Sequence, residues 1–312
     1  MILNPLLIER IKKINKLINI RIGDFKDVDN FVSVFNNHYK KQTNIEYFRW
    51  QFIDTPYPTN LFIAFDGDKP IGFCGVKIFD LNNKSEKIGY IVDLLIANNY
   101  RKRGVEILLF EKIFHYVNTY LVCCLISLPN QYGNKSLSSI GFKTIARIDS
   151  LVFNIENYVP NIEEDIISKD YNNSFYLDIK KDLNYFNWRY LQHPNYNYDK
   201  VLLDENSFAF VKIYNDINNG IAYLDIMDIV FSDLVSLRKL FDNIIYFSKN
   251  NNILNLSVWA IPNSYLHRFL IFKGFKQESR ERYFSVYKEK ALDIEIDDIN
   301  SWNLSQSYSE TY

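Results

Sequence analysis

The chain has 312 residues, 47% hydrophobic and 23% charged, with a formal net charge of −1. That length exceeds one ordinary domain, and the composition is that of a globular protein with apolar cores to bury. Near-neutral charge excludes a broadly basic, nucleic-acid-coating surface, and no apolar run reaches the ~18–20 residues that span a bilayer.

Residues 1–20 carry apolar side chains at helical spacing, interrupted by Glu9, Arg10, Lys12, Lys13 and Lys16. No signal-peptide core is present, so the segment reads as a helix capping the first domain. A surface-lying or dimer-packing helix is the alternative, which leaves a homodimer open. Residues 19–21 open a strand, and 24–29 begin a helix with carboxylates in its first turn. Residues 60–65 and 71–79 read as strands about the turn signal Asp66-Gly67-Asp68. A strand over 88–96, a helix over 104–118, a strand over 121–128, a helix over 135–140 and a strand over 147–154 follow. Cys74, Cys123 and Cys124 have no ligand spacing, and read as buried reduced thiols of a cytoplasmic protein. The four histidines show no metal-ligand spacing, so no metal is expected.

The stretch 90–105 is the most informative. An apolar strand runs into Arg101-Lys102-Arg103-Gly104, and an amphipathic helix starts at once. Loop and first-turn N–H groups then converge on one point, and the helix dipole favours negative charge there. Three cations beside it suit a phosphate, with a plain solvated basic loop as the alternative.

The chain also repeats itself. Tyr47-Phe48-Arg49-Trp50 returns as Tyr185-Phe186-Asn187-Trp188, each followed six residues after the Trp by a proline, Pro56 and Pro194. Pro129-Asn130 and Gly141-Phe142 return as Pro262-Asn263 and Gly274-Phe275, twelve residues from Asn to Phe in both. Two copies of one α/β unit are inferred: a domain over 1–155, a polar connector over 156–173 holding Glu163, Glu164 and Asp165, and a second domain over 174–312.

On the segment 94–105 with Asn130 and Gly141-Phe142, the first copy resembles the GNAT acyltransferase superfamily (Gcn5-related N-acetyltransferases). The resemblance implies two tandem α/β (α+β) domains, each a mixed, mainly antiparallel twisted sheet flanked by helices. It implies acyl-CoA as co-substrate, with acetyl-CoA or 3-hydroxybutanoyl-CoA as donor. Backbone amides of Leu94, Leu95 and Ile96 would then hold the pantetheine arm. Arg101, Lys102, Arg103, Gly104 and Val105 would hold the pyrophosphate, where a Cβ on Gly104 would crowd it. Asn130 would touch the CoA arm, or act as a plain turn or cap residue.

Two positions depart from the family pattern. Glu106 stands where a small residue closes the phosphate loop, and Leu137 (Leu270 in the second copy) where the family often has a tyrosine acid. A thiol of pKa about 8.5 leaves without much help, and Tyr132 is a substitute acid. The second copy keeps Asn…Gly-Phe but has Ser232-Asp233-Leu234-Val235-Ser236 in place of the loop. It is expected not to bind CoA and to help build the acceptor site.

Asp93, the only carboxylate in strand 88–96, is the candidate base for the attacking amine, with Tyr90 and Asp228 as rivals. Asp93 could equally be an outward side chain paired with a cation. Trp188, Arg189, Asp225 and Tyr265 are the candidate acceptor-binding residues; Trp188 and Arg189 could instead pin a helix–loop corner. The tandem arrangement resembles N-acyltransferases of bacterial surface-polysaccharide pathways. That implies a nucleotide-linked, usually dTDP-linked, deoxyamino sugar as partner and direct attack in a ternary complex, without nucleic acid or membrane insertion. An aminoacyl-transferase of duplicated type, a protein-directed acetyltransferase and a non-catalytic CoA-binding scaffold are the other readings.

Overall fold

A computed structural model describes residues 5–14, 16–38, 42–82, 85–159, 177–216, 220–288 and 296–308. The connector expected over 156–173 lies outside the described residues from 160 on. The chain forms two compact units: Met1–Ile145 with Ile179–Asn195 and Phe284–Ile296, and Ala146–Asp178 with Tyr196–Tyr283 and Asp297–Tyr312.

In the first unit, β1 (Ile18–Ile22), β2 (Thr59–Asp66), β3 (Lys69–Asp80) and β4 (Lys87–Ile96) pair antiparallel in that order. β4 then pairs parallel with β5 (Cys124–Ser127). The outer edge of β5 is completed by residues 285–288, the end of β11 (Lys276–Lys288). β5 is shorter than the expected strand because Leu121 sits at φ 53°, outside extended space.

Alternation along β3 sorts the two faces. Cys74, Val76 and Ile78 join the core built on α4 (Val105–Thr119), with Ile11 of α1 (Pro5–Ile14) in the same core. Lys12 also reaches Glu111 of α4 at 2.6 Å, so α1 lies against that helix. Phe73 faces the other way and meets Phe31 of α2 (Val28–Asn36), which packs on Phe48 and Phe52 of α3 (Ile45–Phe52). α2 starts later than expected because Asp24 caps a short turn, accepting from the Lys26 N–H, before the helix begins.

The helix α5 (Gln131–Ile140) begins earlier than its periodicity suggested, because Asn130 caps it by accepting from the Gly133 N–H at 2.9 Å. It ends at Gly141, φ 110°, and the Phe142 N–H bonds back to the Leu137 carbonyl. The returning segment α6 (Leu183–Phe186), with a wider helical turn over Asn187–Leu191, packs in this unit as well.

The second unit repeats the plan. β7 (Asp199–Asp204), β8 (Ser207–Asp216) and β9 (Ile221–Val230) are antiparallel, and β9 pairs parallel with β10 (Asn255–Ala260). The next edge is taken by β6 (Lys143–Asn154), the last strand of the first sequence copy. The two copies therefore exchange their final strands. α7 (Leu234–Asn250) packs on β7 and β8. α8 (Tyr265–Phe272) ends at Gly274, φ 97°, with the Phe275 N–H on the Leu270 carbonyl, as in the first copy. No described helix is long and apolar enough to cross a membrane.

Candidate active site

β4 makes the first part of the site by leaving its neighbours. Its pairing with β5 covers Ile88 to Tyr90 and ends there, with the Ser127 hydroxyl on the Ile91 carbonyl at 3.4 Å as the last link. On the other edge the register to β3 slips between Phe73 and Gly75, so β4 carries a bulge that contains Asp93. Asp93 sits at φ 50°, an uncommon conformation for a residue with a side chain, and is half-buried. Leu95 and Ile96 re-pair with Phe73 and Gly72, while no described residue of β5 pairs with them. Close approach explains Gly72, where a Cβ would lie 2.7 Å from the Leu95 carbonyl oxygen.

The strand leads directly into the basic loop. Arg101, Lys102 and Arg103 are exposed, and Lys102 and Gly104 take positive φ (62° and 81°), turning the chain tightly into α4. The first bonds of α4 run from the Ile107 and Leu108 N–H groups to the Gly104 carbonyl. The amides of Val105 and Glu106 therefore belong to the helix's unsatisfied first turn, which suits an anion. Arg101 Nε donates to the Ile96 carbonyl at 3.0 Å, and its guanidinium bonds the His38 ring nitrogen. Burial, then the Arg101 charge, pushes the His38 pKa down, so a neutral ring accepts that bond. Arg103 lies 5.3 Å from the Tyr100 ring centroid, and the Tyr100 hydroxyl donates to Asp66 at 2.7 Å.

A Cβ on Gly104 would meet Ile11 of α1, with Cδ1 at 2.9 Å. The glycine is required by its backbone conformation and by the helix behind it.

Asp93 is held from α3. The Tyr47 hydroxyl and the Gln51 amide nitrogen each reach Asp93 Oδ2 at 3.4 Å. Gln51 Oε1 in turn accepts from the buried Lys77 ammonium at 2.5 Å. Tyr90 pairs with Lys77 across the ladder and is also buried. Sequence reasoning missed Tyr47, Gln51, Lys77 and His38. The available signal was Lys77 itself, the single charge inside an otherwise apolar run from Ile71 to Phe79.

The remaining candidates are placed as follows. Tyr132 is exposed in the first turn of α5, and Leu137 is buried in the core. Leu94 is half-buried against the same core. Trp188 and Arg189 are buried, with Trp188 stacked on Trp50. Beside them, Glu46, Arg49, Trp50, Asp54, Gln192 and Pro194 line an open cleft of about 520 Å³.

Asp225, Asp228 and Tyr265 are buried in the second unit. Asp225 accepts from the Ser257 hydroxyl and lies 3.7 Å from Lys212 Nζ. It lines a cavity of about 20 Å³, room for one water, together with Ser150, Trp259 and Gln306. At the N-terminus of α7, Asp233 accepts from the Ser236 N–H at 2.7 Å. That bond draws its pKa below the usual carboxylate range. The chain's own carboxylate thus caps the first turn of α7, whereas Gly104 gives α4 no side-chain cap. Among the described residues, no group of His, Cys, Asp or Glu is gathered that could hold a metal ion.

Residues 25–131 match the family described as Acetyltransferase (GNAT) family. No curated protein matches the chain. Among solved structures, a Pyrococcus horikoshii protein assigned as an acetyltransferase is similar over 93% of this chain and 94% of its own, at 13% identity and a TM-score of 0.58. A GCN5-related N-acetyltransferase from Anabaena variabilis is similar over 86% of this chain and 72% of its own, at 12% identity and a TM-score of 0.63. A third is the glucosamine N-acetyltransferase region of a fungal multi-domain β-N-acetylglucosaminidase, at 11% identity and a TM-score of 0.56. It covers 86% of this chain and 38% of that one. Such identities speak for a shared fold. The family match covers about a third of the chain, over the parted strands, the Arg101–Gly104 loop and the first turn of α4, and the fold is the one these acetyltransferases share.

Proposed function

We propose that the protein moves an acetyl or 3-hydroxybutanoyl group from acyl-CoA to the amino group of a nucleotide-linked deoxyamino sugar. The dTDP-linked sugars of bacterial O-antigen or capsule assembly are the acceptors we favour. The observation that carries the reading is Asp93, a carboxylate on the bulge where β4 and β5 part, in the strand that feeds the phosphate loop. In this reading the acceptor ammonium gives a proton to Asp93, and the freed amine attacks the thioester carbonyl. The tetrahedral oxyanion collapses and the C–S bond breaks; the proton still on the attacking nitrogen passes to the departing sulfur, directly or through water, giving an amide and free CoA thiol. The CoA thiolate leaves with little need of an acid, in keeping with Leu137 in the core.

The loop and first-turn amides from Arg101 to Glu106 hold the pyrophosphate, and Leu94–Ile96 hold the pantetheine arm. The second copy, with Asp233 on its corresponding helix end, binds no CoA. Support for an amino-sugar acceptor comes from the repeated sequence plan and from the glucosamine N-acetyltransferase region among the structural neighbours.

Thermal melts with acetyl-CoA, 3-hydroxybutanoyl-CoA, dTDP and UDP, alone and in pairs, test the reading. Ligand at ~100 times Kd stabilises by about 2.7 kcal/mol, a visible rise in Tm. A rise with one acyl-CoA and a further rise with dTDP supports it, and thiol release with a dTDP-linked amino sugar completes it. Absence of any acyl-CoA response would overturn it, and a CoA response with no nucleotide response would remove the sugar.

A further inference from the structure

Lys77 is a side chain for which acyl transfer by itself has no use. It is fully buried in β3, among apolar neighbours. A buried ammonium is costly unless hydrogen-bonded, so its partners indicate its purpose. Nζ donates to Gln51 Oε1 at 2.5 Å and lies 4.7 Å from the ring centroid of Trp188. An ammonium has only donors, so it holds the Gln51 amide with its oxygen inward. The NH₂ end of that amide then faces Asp93 and donates to Oδ2 at 3.4 Å, the oxygen that Tyr47 also reaches.

We infer that Lys77, acting through Gln51, is a positioning residue that holds Asp93 ionised and oriented at the β4 bulge. This rests on the reading of Asp93 as the base that takes the acceptor's proton. The positive charge behind the amide strengthens the N–H donated to the carboxylate, and the amide cannot turn over while Lys77 holds its oxygen. Among the described residues, the ionisable groups packed around this chain of bonds include Tyr47 from α3, Cys74 and Tyr90 from β3 and β4, Arg189 and His193 beside Trp50, and Tyr57 and Tyr185 on Trp188.

The test reads the carboxylate directly. In protein labelled with ¹³Cγ-aspartate, D93N identifies the Asp93 resonance, whose titration is followed in the wild type, K77M and Q51E. Methionine keeps the length of the lysine stem without its charge. Glutamate at 51 still accepts from Lys77 but turns a second carboxylate toward Asp93. The expected result is an upward shift of the Asp93 midpoint in both variants, larger in Q51E, with acetyl-CoA affinity unchanged. A midpoint that stays in place in both folded variants overturns the proposal, even where D93N has lost turnover. Full turnover by D93N is the separate result that removes the base, and this role with it.

Discussion

Trp50 and Trp188 stack face to face, with ring centroids 4.9 Å apart and planes within 11°. Each indole N–H donates to the other's backbone carbonyl, at 2.8 Å from Trp50 and 3.0 Å from Trp188. The two come from the two copies of Tyr-Phe-x-Trp, and both are buried in the first unit. Trp188→Phe keeps a ring but leaves the Trp50 carbonyl without its donor. A loss of about 1–3 kcal/mol is expected. Trp188→Ala should cost about 3–5 kcal/mol. Urea unfolding measures both, and a Phe variant as stable as the wild type would show that the paired N–H bonds contribute nothing.

Asp93→Asn should lower kcat by about 100-fold or more, since general-base catalysis contributes ~10²–10⁴. The KM for acetyl-CoA should hold, because the loop proposed to bind its pyrophosphate lies beyond the bulge. Near-normal turnover across pH would exclude Asp93 as the base.

Gly104→Val places a side chain at φ 81° with Ile11 Cδ1 at 2.9 Å from its Cβ. The variant should melt at a lower temperature by an amount that reflects a loss of about 1 kcal/mol or more. Its KM for acetyl-CoA should rise as α4 and its first-turn amides shift. An unchanged KM in the folded variant would detach this loop from CoA binding.

Acid should loosen the N-terminal part of the first unit. Burial tends to raise the Asp27 pKa, but Arg21 at 2.5 Å, the Asp24 N–H at 2.9 Å and Asn30 at 3.1 Å outweigh it and hold the pKa low. A depressed carboxyl stabilises the fold above its unfolded pKa, ~3.9, and that contribution is lost as pH falls through the lower folded value. Asp27→Asn should therefore cost about 1–2 kcal/mol at pH 7. Its deficit against the wild type should shrink below pH 4 in unfolding curves. A deficit independent of pH would assign the loss to packing instead.

Much of the site was legible because it is written locally. Arg101 to Gly104 had to turn tightly before an apolar-periodic helix, and Gly104 takes the left-handed conformation that glycine permits. The same logic applies to the repeated landmarks. Gly141 and Gly274 both close a helix at positive φ, and Phe142 and Phe275 both enter a core. Residue type and spacing carry such features, since they depend on a few neighbouring dihedrals.

Only tertiary structure decided which residues meet. Gln51 and Lys77 lie on a helix and a strand with nothing in their spacing to pair them, yet they converge behind Asp93. Residues 146–154 and 284–288 are both final strands that could complete their own copy, and the fold exchanges them. Strand partners are set by competition among distant edges of similar pattern, and a buried lysine's purpose by what packs around it; neither is encoded within a few residues.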